Sequence, residues 1–287
     1  MKEVTNIDDF GTKDTYKLYR SVYEIIHPAI SKRNISNYKI IIDDNLTPLR
    51  IFYPKKISKI EKVIIYIRSN LRLVQGKKNY SEVIEDIVKK FDTLVIALDY
   101  ELEEKNYTKC VNTCYETIKY LIEGLNRVGI ENNKITLISD SFGSSILTSI
   151  NMITNIKLPK EILLYPVLNL KDEDKNNYPS LEQNNKLDLL TTIHLKQLST
   201  KYLDNKYKSP LKADNYNLWP KTLVITADLD PLRDEGIALA TNLRKENKSP
   251  KGINITFASH GFLNSKDEES IEEAYKEMKK FIAKKEE

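Results

Sequence analysis

The residues with the strongest chemical signal are a Ser, an Asp and a His, each directly after an apolar run. Ser141 lies in Thr136-Leu137-Ile138-Ser139-Asp140-Ser141-Phe142-Gly143-Ser144, which reads as a strand, a tight turn and a helix. A Ser on such a turn projects its Oγ from the sheet. The helix start that follows offers N–H groups and partial positive charge to a developing oxyanion. Ser139 and Gly143, two residues before and after, are small enough for a sharp bend, although Ser139 keeps a Cβ. Alone, Ser-x-Gly is explained equally well by a helix N-cap. Two further segments shift that balance. Asp228-Leu229-Asp230-Pro231-Leu232-Arg233-Asp234-Glu235-Gly236 follows one apolar run and Ser259-His260-Gly261-Phe262 follows the next. A Ser nucleophile needs a base to take its proton, and that imidazole needs a carboxylate to fix its tautomer. The order Ser141, Asp230, His260, with gaps of 89 and 30 residues, supplies these types at successive strand ends. Asp228 and Asp234 are alternative acids. The other two histidines are read as structural or surface residues: His27 precedes Pro28, and His194 lies among Leu190, Ile193 and Leu195.

Positioning these side chains requires a scaffold. From about residue 60, short apolar runs alternate with longer stretches of helical period. The runs are Val63–Ile67, 93–99, 134–139, 161–165, Thr222–Ala227 and 253–258. The helical stretches are Tyr80–Phe91, Tyr107–Arg127, 144–153, 234–245 and 268–284. The runs are apolar throughout rather than alternating, as expected of strands buried on both faces of a parallel sheet. The fold class is therefore α/β, with a mostly parallel central sheet and helices on both faces. Residues 38–42 and 48–53 read as an antiparallel hairpin leading into the sheet, preceded by a helix from about Asp14 to Pro28. About 55 residues between the fourth and fifth runs, 167–221, break the rhythm and read as an insertion above the sheet. No composition shift marks a second domain.

Composition narrows the function classes. The 287 residues carry a net charge of +4, from 45 Lys+Arg against 41 Asp+Glu, with both signs spread along the chain. That dispersal argues against nucleic acid as a partner. No apolar run is long enough to span a membrane. The first residues contain no apolar signal core, and the two cysteines, Cys110 and Cys114, fit reduced thiols packed inside a helix. A cytoplasmic setting is expected, and nothing in the sequence calls for a cofactor or a metal.

Several segments in order resemble the hormone-sensitive-lipase-like, bacterial acetyl-esterase branch of the α/β-hydrolases. They are Leu49-Arg50-Ile51-Phe52-Tyr53-Pro54, Asp99-Tyr100-Glu101-Leu102, Asp140-Ser141-Phe142-Gly143, Leu164-Tyr165-Pro166-Val167-Leu168, Ser209-Pro210-Leu211, Asp230-Pro231-Leu232-Arg233-Asp234-Glu235-Gly236 and His260-Gly261-Phe262. The resemblance implies an α/β-hydrolase fold over residues 1–287, with a helical cap from about 1–36 and 167–208. It also implies Ser141 as nucleophile, His260 as base and Asp230 as the orienting acid. The expected activity is cleavage of small, short-chain carboxylic esters through an acyl-enzyme. The sequence departs from the family at the oxyanion loop, where His-Gly-Gly-Gly is replaced by Arg68-Ser69-Asn70-Leu71. The expected oxyanion donors are then the Phe142 N–H and a group of Ser69 or Asn70. The lost glycines motivate a second reading, a weak or inactive ligand-binding protein on the same scaffold. A third is an amidase or formamidase with the same three residues.

Overall fold

The computed structural model describes residues 13–28, 38–40, 46–55, 60–69, 79–170, 177–185, 192–246 and 251–284. Eight strands form one sheet: β1 (Tyr38–Ile40), β2 (Leu49–Phe52), β3 (Val63–Ile67), β4 (Leu94–Leu98), β5 (Ile135–Asp140), β6 (Glu161–Leu164), β7 (Thr222–Ala227) and β8 (Lys251–Ile255). Their spatial order is β1-β2-β4-β3-β5-β6-β7-β8. The β1–β2 and β2–β4 pairs are antiparallel and the rest are parallel, so the expected hairpin leads into a parallel sheet.

The helices are α1 (Lys13–Ile26), α2 (Tyr80–Phe91), α3 (Tyr107–Arg127), α4 (Phe142–Ile153), α5 (Ser180–Gln183), α6 (Thr192–Tyr202), α7 (Arg233–Lys245) and α8 (Glu268–Ala283). Side chains alternate across a strand, and here both faces are apolar. Val63, Ile65 and Ile67 of β3 join Leu137 and Val224 in a core covered by α1, α3, α4 and α7. Ile64 and Tyr66 join Ile138, Leu164 and Ile225 in a second core, under α2 and α8. This two-sided burial explains why the strand runs lack polar alternation. The chain leaves β3 through α2 on one face and leaves β5 through α4 on the other. The carboxyl ends of these adjacent strands therefore open on a crevice, the place where ligands enter open α/β sheets.

The last strand corrects the expected boundary of 253–258. β8 spans Lys251–Ile255, because Ile255 pairs with Ala227, the last residue of β7. Beyond that pair the chain turns, with Phe257 at φ 60° and 78% exposed. The inserted region is anchored at several points. In the absence of a side-chain cap from Asn106, Asp204 accepts hydrogen bonds from the Thr108 N–H and hydroxyl at the start of α3, both at 2.8 Å. Helix α1 joins the core beside α3, and its Ile25 carbonyl accepts from the Tyr53 hydroxyl at 2.6 Å. The remainder of the expected cap (1–12, 29–36, 171–176 and 186–191) lies outside the described residues.

Packing is closest where α4 meets β3. A Cβ on Gly143 would lie 2.1 Å from the Ile67 carbonyl oxygen and 2.7 Å from that of Arg68. Both obstacles are backbone, so the clash is relieved only by moving the helix off the strand. Gly143→Ala is expected to cost about 3 kcal/mol of stability, at the upper end of overpacking penalties. A urea midpoint equal to that of the parent would contradict this.

Candidate active site

Ser141 joins β5 to α4 at φ 47° and ψ −120°, an unfavourable conformation for a residue with a Cβ. Its backbone is held from both sides. The Ser141 N–H donates to the Leu164 carbonyl at 3.0 Å, and the Ser141 carbonyl accepts from Val167 and Ser144 at 3.1 and 3.0 Å. Ser139, at the position where the family carries Gly, is fully buried, with its hydroxyl 3.0 Å from that of Ser144. Its side chain is thus accommodated by a polar partner in the first turn of α4.

The Ser141 hydroxyl lies 2.8 Å from His260 Nε2. His260 Nδ1 lies 2.7 Å from Asp230 Oδ2. A carboxylate only accepts, so the proton sits on Nδ1 and the Nε2 lone pair faces the serine. Asp230 is 1% exposed and His260 2%. The second Asp230 oxygen, Oδ1, accepts from the Leu232 N–H at 2.8 Å. The His260 ring packs edge-on against Tyr165, centroids 5.3 Å apart. Gly261 follows at φ 73°, where a glycine lets the chain turn directly into the next helical turn.

The structure thus brings together the three residues read from the sequence and separates the alternatives. Asp228 pairs with Asn254 and Arg233, and Asp234 pairs with Arg233 and the Ser180 N–H. His27 is exposed and stacks on Tyr23, while His194 is exposed on α6. Cys110 and Cys114 are buried and free, as expected of reduced thiols. Among the described residues no group of three or more His, Cys, Asp or Glu is arranged to hold a metal ion. No described helix is long and apolar enough to cross a membrane.

Phe142 opens α4, so its N–H has no acceptor within the helix. The Ser69 N–H donates to Asp140 Oδ1 at 2.6 Å. A partly buried carboxylate competes strongly for a nearby amide, because the charge-assisted bond offsets its desolvation. Burial pushes the Asp140 carboxyl up to about 6, with the Ser69 amide pulling it back. Asn70 lies outside the described residues. Arg68, at the position of the family's His, is neither solvated nor available as a free cation. Its guanidinium donates to Asp99 at 2.9 Å and lies over the Tyr80 ring at 4.6 Å, while the Tyr100 hydroxyl donates to the Arg68 carbonyl at 2.7 Å. Burial works to raise the Asp99 carboxyl, but Arg68 and then Arg50 bring it below its usual range.

Glu235 was not singled out as a site residue. It is 1% exposed, and its Oε2 accepts from the Leu168 and Asn169 N–H groups at 3.1 and 2.9 Å, fixing the chain after β6. Burial raises its carboxyl to about 8. The folded chain therefore holds this proton more tightly than the unfolded chain. The associated stability is present below about pH 4.5 and is lost as pH rises through about 8. Glu235→Gln keeps an acceptor for both amides and removes the titration. Its urea midpoint is expected to fall less than the parent's between about pH 5 and 8; equal slopes would assign the proton to another group.

A family model described as alpha/beta hydrolase fold matches residues 65–264. The arylesterase of Saccharolobus solfataricus is 24% identical over 272 residues, covering 91% of this chain and 88% of the relative. The arylacetamide deacetylase of Oryctolagus cuniculus is 22% identical, covering 92% and 85%. Among solved structures, a hyperthermophilic esterase from Pyrobaculum calidifontis aligns with a TM-score of 0.74 at 20% identity, covering 93% of this chain and 91% of that one.

Proposed function

The chain belongs to the alpha/beta hydrolase fold family, and from that premise we propose that it is a serine carboxylesterase acting on small, short-chain esters. The observation that carries this reading is the unbroken line of bonds from Ser141 through His260 to the buried Asp230. In this reading Ser141 Oγ attacks the ester carbonyl carbon while its proton passes to His260 Nε2. The tetrahedral oxyanion is met by the Phe142 N–H at the start of α4. His260 then returns the proton to the departing alkoxide, leaving an acyl-serine. A water molecule repeats the sequence: His260 takes its proton, the oxygen adds to the acyl carbon, the bond to Ser141 Oγ breaks as Oγ takes the proton back from His260, and the carboxylic acid is released. Asp230 keeps Nδ1 protonated and stabilises the imidazolium that forms in each half.

Ester chemistry is supported by the similarity to the arylesterase of Saccharolobus solfataricus. The intact hydrogen-bonded line argues against the ligand-binding reading, which needs no such alignment. An amide-cleaving role rests on the similarity to arylacetamide deacetylases and uses the same residues. A matched panel of aryl esters and anilides ranks the two.

A fluorophosphonate is expected to label the parent at Ser141, and Ser141→Ala is expected to lose the label and at least about 10³-fold in kcat. Asp230→Asn is expected to lose about 10⁴-fold, because an amide holds the wrong imidazole tautomer. A folded parent that takes no label and cleaves no activated acetate ester overturns the proposal. Asn70 is the remaining candidate for a second oxyanion donor. Asn70→Ala is expected to lower kcat about 10²-fold with little change in KM, and an unchanged kcat removes its side chain from the reaction.

A further inference from the structure

The turn that carries the acid is held by side chains from the inserted region, which the catalytic reading leaves without a role. Three of its backbone carbonyls, those of Asp228, Asp230 and Pro231, accept hydrogen bonds from residues of that region. Asn184 Nδ2 donates to both the Asp228 and Asp230 carbonyls, each at 3.1 Å. The Ser180 hydroxyl donates to the Pro231 carbonyl at 2.8 Å. The contact is reciprocal, since the Ser180 N–H donates to Asp234 Oδ2 at 2.8 Å and the Asp234 N–H to the Ser180 hydroxyl at 3.1 Å. Ser180 is fully buried and Asn184 is 6% exposed. Water does not readily replace donors at such depth.

We propose that Asn184 is a positioning residue for Asp230. Its single amide group bridges two carbonyls on either side of Leu229 and so sets the pitch of the turn from which the acid projects. The direction of the Asp230 carboxylate is fixed at one oxygen by Leu232 and at the other by His260. The Leu232 amide belongs to the same turn, so a shift in pitch moves both Oδ1 and Oδ2 relative to the imidazole. Arg233 supports the same two carbonyls from within the acid-bearing segment, its N–H on that of Asp230 at 3.1 Å and its Nη1 on that of Asp228 at 3.2 Å. Asn184 holds them from the inserted region. The inserted region is in this view part of the triad's support, as well as whatever covering it gives the substrate.

The inference rests on the serine-hydrolase reading, and its test separates the two. Asn184→Leu keeps the approximate volume and removes both donors. Activity is referred to the fraction of Ser141 that takes a fluorophosphonate, so loss of folded protein does not enter. Expected is a kcat lowered about 10-fold per labelled site, with KM within about threefold, as for a catalytic group displaced by a fraction of an ångström. The Nδ1 proton of His260, expected as a downfield resonance in the parent, is expected to broaden or vanish. That resonance requires no turnover, so it reports on the proposal even if the parent proves inactive, an outcome that would sink only the hydrolase reading. Where Asn184→Leu fails to fold, Ser180→Ala removes one hydroxyl of the same clamp and is expected to act in the same direction. A kcat within twofold of the parent together with an unchanged resonance overturns the proposal.

Discussion

The arrangement depends on one close approach, that of the first turn of α4 to the end of β3. Gly143 leaves no room for a Cβ against the Ile67 and Arg68 carbonyls. With the helix drawn in this far, the residue before it must complete the change from strand to helix in a single step. That step places Ser141 at φ 47° and ψ −120°. Such a conformation costs roughly 1–3 kcal/mol and persists only where the surroundings over-determine it. Here the end of β6 does so, through the Leu164 and Val167 contacts to the Ser141 backbone. The same contacts lead into Tyr165, whose ring braces His260. Strain at the hydroxyl and support of the imidazole therefore come from one stretch of chain.

Much of this was legible because it rests on local signals. Runs apolar on both faces gave away a parallel sheet, and each of Ser141, Asp230 and His260 stands just beyond such a run. The choice of Asp230 over Asp228 and Asp234 came from a motif, and the structure gives its physical reason. Asp228 is occupied by Asn254 and Arg233 and Asp234 by Ser180, leaving Asp230 as the buried carboxylate at the imidazole. Three features were not legible. The bond from the Ser69 N–H to Asp140 is one, because sequence spacing does not reveal which acceptor a loop N–H will find. The end of β8 is set by the length of its partner β7, a long-range property that apolar content does not encode. Ser180 and Asn184 lie in a stretch of weak periodicity, and ordinary polar residues there carry no sign of burial.

The end of β3, where the family resemblance leads one to expect His and Gly, illustrates how a local rule can be broken and compensated. Glycines in such a loop permit close approach and unusual dihedrals. In their place this chain fastens Arg68 and Ser69 from four sides: Asp99 and the Tyr80 ring at the guanidinium, Tyr100 at the carbonyl, and Asp140 at the next amide. Arg68 and Asp99 are largely withdrawn from solvent, at 17% and 11% exposure. An ion pair in that setting adds little net stability, since desolvation offsets attraction. Its stronger consequence is geometric: with Arg50 also on Asp99, it ties the end of β3 to the end of β4 beside the elbow.

Placing such networks around Ser141 and His260 has an electrostatic cost that helps to explain their form. Asp230 and Glu235 are buried and Asp140 is partly buried near His260, and three negative charges in one low-dielectric region would repel each other strongly. The chain distributes the load. Asp230 faces the imidazole and the Leu232 amide. Glu235 receives two amides but no cation, and burial leaves it favouring the protonated form up to about pH 8. Asp140 lies between, drawn back to about 6 by Ser69, His260 and Arg68. Glu235 can hold the β6 loop as a neutral hydrogen-bond acceptor.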